Sequence, residues 1–391
     1  MTPAARLQAA AEILDEVIRA AIDDGPPADT IVTRYFKSRR YAGSKDRRAV
    51  RELVFRAIRR SAERPLDGRA AIVGLAQDLP ELRALFGEPR GPESLGENET
   101  AAAVGCVPEW LVPELSSLVA QGEWPALLER APLDLRVNGV RASRDELLRQ
   151  FAAAEPSPHS PWGIRLPPDT RIDDDPAYRD GLVEVQDEGS QLIALACAPK
   201  DGERLLDLCA GAGGKGLALA AAAPGAIILA TDSNRARLSK LPERAQRAGA
   251  QIETRLLNPP NELEELADWC DVADVVLVDA PCSGSGTWRR NPEGRWRLTP
   301  ERLDRLTAAQ QRLLDIGAEL VRPGGRLVYA VCSLLSREGA GQIERFHERH
   351  SSWISEQTAI AGGRSDGAGL LLTPAHDRTD GFFVARLRRS C

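Results

Sequence analysis

Two of the seven cysteines in this 391-residue chain stand where covalent chemistry is readily done. Cys282 follows the apolar run Val275-Val276-Leu277-Val278, within Asp279-Ala280-Pro281-Cys282-Ser283-Gly284. Cys332 follows Leu327-Val328-Tyr329-Ala330-Val331 and precedes Ser333. Both runs read as buried strands. Both thiols then leave the carboxyl end of a strand, the edge at which open α/β sheets bind ligands. A single cysteine at such an edge is more often an inert small hydrophobe. Two of them, with Asp279 three residues before one, make a nucleophile, a helper and an acid. Thiolate addition to an electron-poor ring needs that set. Addition turns an unreactive ring carbon into a nucleophile, an acid favours it, and a second group aids the thiolate's departure.

A glycine-rich loop accompanies them. The strand Leu205-Leu206-Asp207-Leu208 runs into Cys209-Ala210-Gly211-Ala212-Gly213-Gly214-Lys215-Gly216 and then a helical stretch. Gly211, Gly213 and Gly216 satisfy G-x-G-x-x-G, which lets backbone amides approach a ligand at a helix N-terminus. Asp232, 21 residues after Gly211, ends the next strand and is placed to accept both hydroxyls of a ribose. The loop suits NAD, with its pyrophosphate on the helix, or S-adenosylmethionine, with its amino-acid part by the loop. By itself it leaves both open.

Those residues need an α/β framework, and the pattern provides one. From about Val183, apolar runs alternate with helical stretches. Strands are expected at 204–208, 226–231, 251–256, 272–278, 325–330 and 382–387. Helices are expected at 214–223, 234–248, 300–321 and 339–350. Such alternation predicts a doubly wound, mainly parallel, Rossmann-like sheet. A long irregular segment before the last strand implies that this strand enters differently. Upstream, Leu133 to Asn138 alternates like a strand, and Ser143 with Glu146 caps a helix from Arg144. A proline-rich stretch follows. Residues 131–182 therefore read as a small α+β module and 183–391 as the catalytic domain. Residues 1–130 read as all-helical, with Ser44 capping a helix that presents Val50, Leu53, Val54 and Ile58 on one face.

Composition narrows the classes. No C-x-x-C pair occurs, so neither a zinc site nor a disulfide framework is indicated. His347 and His350 lie three apart without a third ligand, so no metal is expected. No run of about 18 uncharged apolar residues is present, and Met1 to Ala10 lacks a signal pattern. A cytoplasmic protein, away from membranes, is the expectation. The net charge of −6 is unevenly spread. Between Arg34 and Arg60 stand eleven Lys/Arg against Asp46 and Glu52, a local +9. Phosphates would dock on such a patch, although a solvated helix face has the same composition.

The chain resembles the RsmB/Sun family of RNA (cytosine-5) methyltransferases. The matching segments are Gln186-Asp187-Glu188-Gly189-Ser190-Gln191, Leu206 through Lys215, Asp279 through Gly284, Tyr329-Ala330-Val331-Cys332-Ser333 and Asp380-Gly381-Phe382-Phe383, in the family's order. The resemblance implies a class I methyltransferase fold with S-adenosylmethionine as cofactor. It implies Cys332 as the nucleophile on cytosine C6 and Cys282 as the residue that assists release. Asp279 then contacts the base beside the cofactor. The cofactor contacts implied are Cys209, Ala210, Gly211, Ala212, Gly213, Gly214 and Lys215, with Asp232 on the ribose. Departures are Val331 where the family has Thr, Ala212 where it often has Pro before Gly-Gly-Lys, and Asn258 where an Asp usually meets the adenine.

Arg39-Arg40-Tyr41-Ala42-Gly43-Ser44-Lys45-Asp46-Arg47-Arg48 resembles the helical NusB-like domain of bacterial members and implies RNA contacts at Arg39, Arg40, Lys45, Arg47 and Arg48. The middle module is similar to the region that helps hold RNA in this family. Within the catalytic part, Trp288-Arg289-Arg290 and Arg295-Trp296-Arg297 interleave bases with aromatics, which predicts stacking and phosphate contacts unless the tryptophans are core. The expected protein is a monomeric enzyme acting on RNA, with 16S ribosomal RNA favoured by the helical domain. The competing readings are an NAD-dependent dehydrogenase, a non-catalytic RNA-binding scaffold, and a DNA cytosine methyltransferase, in which Pro281-Cys282 would hold the nucleophile.

Overall fold

The computed structural model describes residues 1–168 and 170–391. They form two compact units. One comprises Met1–Leu115, Ala120–Glu129 and Thr287–Pro300; the other comprises Ser116–Val119, Arg130–Gly286 and Glu301–Cys391.

The first unit is helical, with α-helices Pro3–Ile22, Ala28–Lys37, Ser44–Arg60 and Gly68–Asp78. Thr2 caps the first by accepting from the Ala5 N–H, with Pro3 at the first position. Its Leu7, Ile13, Leu14 and Val17 are fully buried against Val50, Val54 and Ile58 of the third. Ser44 is the first residue of that third helix rather than its cap. Gly43 is the cap, and the Asp46 carboxylate accepts the Gly43 N–H at 3.2 Å.

Thr287–Pro300, expected in the catalytic domain, packs in the helical unit. The reason is the unpaired carbonyls at helix ends. The Arg295 guanidinium donates to Cys106 O at 2.8 Å and to Ile58 O at 2.5 Å. The Trp296 indole donates to Ser61 O at 3.0 Å, and Arg297 donates to Gly25 O and Pro26 O at 2.9 and 2.8 Å. The catalytic part is therefore interrupted in sequence between Gly286 and Glu301.

The second unit holds two sheets. The smaller runs in the order Glu155–Pro156, Gly163–Leu166, Leu133–Val137, Val183–Val185, and every pairing is antiparallel. Val183–Val185, expected to open the catalytic domain, is the fourth strand of this module. The helix Arg144–Gln150 carries the expected capping box of Ser143 and Glu146.

The larger sheet contains β1 (Arg204–Asp207), β2 (Ile227–Asp232), β3 (Glu253–Leu256), β4 (Ala273–Asp279), β5 (Val321–Val331), β6 (Trp353–Glu356), β7 (Arg364–Asp366), β8 (Gly369–Leu372) and β9 (Phe382–Arg389). Its order is β7-β8-β9-β5-β4-β1-β2-β3, with β6 also paired to β9. Strands β3, β2, β1, β4 and β5 are parallel, and β9 enters antiparallel to β5. The chain order reverses between β1 and β4, and ligands bind beside the carboxyl ends at such a switch point. The helix expected across 234–248 divides into Arg235–Leu238 and Leu241–Ala248. Pro242 lacks the N–H that a continuous helix would require.

Candidate active site

Three loops leave the carboxyl ends of β1, β4 and β5. After β1, Cys209–Lys215 turns into the helix Gly214–Ala222. Gly213 caps that helix in the left-handed region, at φ +84°, and a Cβ there would stand 2.1 Å from the Leu241 side chain. Only glycine fits. Asp232 at the end of β2 fixes the loop, accepting the Gly211 N–H at 2.7 Å and the Asn234 N–H at 2.6 Å. Arg244 donates to the Ala212 carbonyl at 2.6 Å and to Glu184 of the small module at 2.8 Å.

Lys215 reaches from this loop to the end of β4, where its ammonium meets Asp279 at 2.7 Å. Burial works against that charge, but Asp279 outweighs it and the net effect raises the Lys215 pKa. Asp207, at the end of β1, is fully buried, and neither carboxylate oxygen has a hydrogen-bond partner. Burial, with the nearby Asp279 charge, pushes it up to about 7.

The β4 and β5 loops bring Cys282 and Cys332 together, with Sγ atoms 3.3 Å apart. The hydrogen bond with Cys332 and then burial hold the Cys282 thiol well above the ordinary range. Either sulfur can be the donor in that contact. Burial, with the Asp207, Asp279 and Asp232 charges, also pushes the Cys209 thiol well up, which disfavours it as a nucleophile.

Behind the thiols lies a polar network that sequence reasoning missed. Glu338, fully buried, accepts from the Ser333 hydroxyl at 2.5 Å, from the Ser283 hydroxyl, and from the Ser283 N–H at 2.9 Å. Gln310 donates to Glu338 at 2.9 Å and to the Pro281 carbonyl at 3.0 Å. Ser285 links the Ser333 hydroxyl at 3.1 Å to the Leu334 N–H at 2.9 Å. The one local hint was that a serine follows each cysteine. The Asp380-Gly381 segment packs on the same loops, since the Gly381 N–H donates to Gly286 O at 2.8 Å.

The remaining expected residues differ in exposure, and Asn258 stands past the end of β3, one residue after Leu257, whose N–H donates to the Asp232 carbonyl at 3.1 Å. Asn258 is exposed, and its side-chain amide donates to Glu265 at 2.7 Å. Trp288 is 1% exposed and Arg289 is buried, while Arg290 is half-buried. Trp288 offers no open stacking face and Arg289 no open guanidinium, which corrects the expectation of base contacts at those two positions. On the helical unit, Arg40, Lys45, Arg47 and Arg48 are exposed, though Arg47 donates to the Ala42 carbonyl at 3.0 Å. Arg39 lies 3.6 Å over the Tyr35 ring and is half-buried. Among the described residues, no group of three or more His, Cys, Asp or Glu gathers as a metal site. Among the described residues, no helix is long and apolar enough to cross a membrane.

Residues 194–388 match the family described as 16S rRNA methyltransferase RsmB/F. The ribosomal RNA small subunit methyltransferase B of Salmonella arizonae is 34% identical over 303 residues, covering 75% of this chain and 68% of the relative. The chain belongs to the RsmB/F family. The protein of the same name from an Enterobacter strain is 34% identical over 290 residues, or 72% of this chain and 66% of the relative. The chain thus spans about two thirds of the length of these relatives. A methyltransferase homologue from Pyrococcus horikoshii matches with a TM-score of 0.60 at 26% identity, over 71% of this chain and 92% of its own. NSun6 from the same organism, solved with SFG, matches in fold with a TM-score of 0.62 at 19% identity, over 72% and 97%.

The RsmB/F protein described here is an RNA C5-methyltransferase that uses S-adenosylmethionine. The dehydrogenase and scaffold readings fall with that membership. The residues suit the cofactor. The loop after β1 is held open by glycine, Asp232 keeps lone pairs beyond its two backbone bonds, and Asp207 is a buried carboxylate without a partner directly behind the loop.

Proposed function

We propose that the enzyme methylates C5 of a cytosine in small-subunit ribosomal RNA, with Cys332 as nucleophile and Cys282 as the residue that completes release. The observation that carries this reading is the 3.3 Å contact between the two sulfurs, beside the Lys215–Asp279 pair. The Cys332 thiolate adds to cytosine C6, and the ring electrons move so that C5 becomes nucleophilic. Asp279, at the end of β4, favours the addition by hydrogen bonding near ring N3. Cys209 to Lys215 and Asp232 hold S-adenosylmethionine, which supplies the electrophilic methyl group when bound. The C5 proton is then lost with help from Cys282, its bonding electrons re-form the C5=C6 double bond, and the C6–S bond to Cys332 breaks to return the thiolate. The family resemblance is what ranks Cys332 over the Pro281-Cys282 alternative.

Selection of RNA falls to the exposed cations Arg40, Lys45, Arg47 and Arg48 with Arg39 beside them, and to the small module. The target base must leave any helix to reach Cys332. A monomer in the cytoplasm, working without a metal, is the state we infer.

The test is methyl transfer to small-subunit ribosomal RNA by wild type, Cys332→Ala and Cys282→Ala, with protein–RNA adducts resolved on denaturing gels. Cys332→Ala is expected to be inactive and adduct-free, and Cys282→Ala to accumulate adduct. An adduct formed by Cys332→Ala would reverse the two roles.

A further inference from the structure

Glu338 is buried directly beneath the two reactive loops, yet it touches neither sulfur. Its carboxylate accepts four hydrogen bonds. Ser333, the residue after Cys332, supplies one at 2.5 Å. Ser283, the residue after Cys282, supplies two: its hydroxyl, and its N–H at 2.9 Å. Gln310 supplies the fourth at 2.9 Å and extends the hold to the Pro281 carbonyl at 3.0 Å. The Tyr329 hydroxyl, on β5, anchors the Glu338 backbone carbonyl at 2.7 Å. Two loops from different strands are thus tied to one carboxylate, each at the residue next to its cysteine.

We propose that Glu338 is the positioning residue that sets the spacing between the Cys282 and Cys332 sulfurs. The proposal rests on the assignment of attack to Cys332 and release to Cys282. A carboxylate suits the task because it accepts at both oxygens and satisfies four donors with no competing donor of its own. A buried network of this kind is rigid only while every member is satisfied. The spacing matters because proton transfer and thiolate departure need near-contact geometry, and a misplacement of about 1 Å costs on the order of 100-fold.

The two loops do not depend on Glu338 equally. Cys332 stands at the end of β5, whose Leu327 to Val331 are fully buried, and Ser333 is also buried. Ser333 also accepts the Leu335 N–H at 3.1 Å and bonds Ser285 at 3.1 Å. The Cys282 loop is more open: Pro281 is exposed, and Cys282 and Ser283 are half-buried. Its hold on Glu338 is double and is extended through Gln310. Without the carboxylate, the Cys282 side drifts and the Cys332 side stays. Release therefore suffers more than attack.

The experiment separates those steps in the full-length enzyme. Single-turnover methyl transfer to small-subunit ribosomal RNA reports attack, and decay of the denaturation-resistant adduct reports release. S-adenosylmethionine affinity and thermal melting serve as folding controls. In Glu338→Ala, release is expected to slow at least tenfold more than attack, so that adduct accumulates as in Cys282→Ala, with cofactor affinity within twofold of wild type. Glu338→Gln keeps one acceptor oxygen and is expected to recover release to within about threefold. Ser283→Ala removes one link and leaves the other three. It keeps the test open if Glu338→Ala fails to fold, and is expected to slow release about threefold with attack unchanged. An equal loss in both steps, or glutamine no better than alanine, would overturn the proposal. So would Ser283→Ala with unchanged release. A Cys282→Ala control that forms no adduct would instead sink the underlying division of roles.

Discussion

Asp207 makes the stability of the ligand-free protein depend on pH in a direction opposite to that of most carboxylates. An acid in a salt bridge has a lowered pKa and adds stability as pH rises; Asp207 is raised, from an ordinary 3.8 to about 7. Between those values the native state holds a proton that the unfolded chain has lost, so stability falls as pH rises across that window and levels above it. At about 1.4 kcal/mol per pH unit, the full penalty at pH 8 is on the order of 4 kcal/mol. Asp207→Asn removes it. The buried amide has its own cost of about 1–3 kcal/mol if unsatisfied, but that cost is independent of pH. The measurement is therefore a difference of slopes. Urea unfolding of wild type and Asp207→Asn, followed from pH 4.5 to 8.5, should show the variant gaining on wild type steadily up to about pH 7 and in parallel with it beyond. Parallel curves throughout would refute the reasoning, and so would a gain confined to the range above pH 7. Bound S-adenosylmethionine carries positive charge, which favours the ionised carboxylate if it lies near. Saturating cofactor should then flatten the wild-type slope and leave that of Asp207→Asn unchanged.

Arg165 bridges Asp134 and Glu188, at 2.7 and 3.1 Å, and both carboxylates are buried. Arg165→Met should cost about 3–5 kcal/mol in urea unfolding by leaving two buried acids uncompensated; a loss under 1 kcal/mol would show that solvent reaches the pair. Trp288→Ala should lose about 3–5 kcal/mol of stability as a buried aromatic. RNA affinity of its folded fraction should be unchanged, whereas a selective loss of affinity would restore the stacking role. Replacing Arg40, Lys45 and Arg48 together with alanine should weaken RNA binding without regard to sequence. It should also shallow the dependence of log K on log salt by about two, and an unaltered salt slope would exclude these cations from the interface.

What the sequence displayed best was its parallel core. Strands β1, β4 and β5 are buried on both faces, so they read as continuous apolar runs, and the residues at their carboxyl ends could be named. The hairpin of β7 and β8 has no clear signature because strands of three and four residues carry too little alternation to stand out. Pro242 divides the helix over 234–248 although the apolar spacing runs across it, because a missing N–H leaves no trace in that spacing. The departure of Thr287–Pro300 had no local signal. Alternating Arg and Trp spell a nucleic-acid contact when exposed and helix-end caps when buried, and only the position of the Ile58 and Cys106 carbonyls distinguishes the two. Glu338 was equally silent, since a lone acid six residues after a cysteine has no distinguishing period. The same limit applied to the cysteines. Residue type and strand-end position nominated both, and family likeness alone ranked them. The fold adds one physical fact: the two sulfurs stand 3.3 Å apart and either can donate to the other, so the site supplies a pair, and the Cys332→Ala and Cys282→Ala variants decide which member attacks.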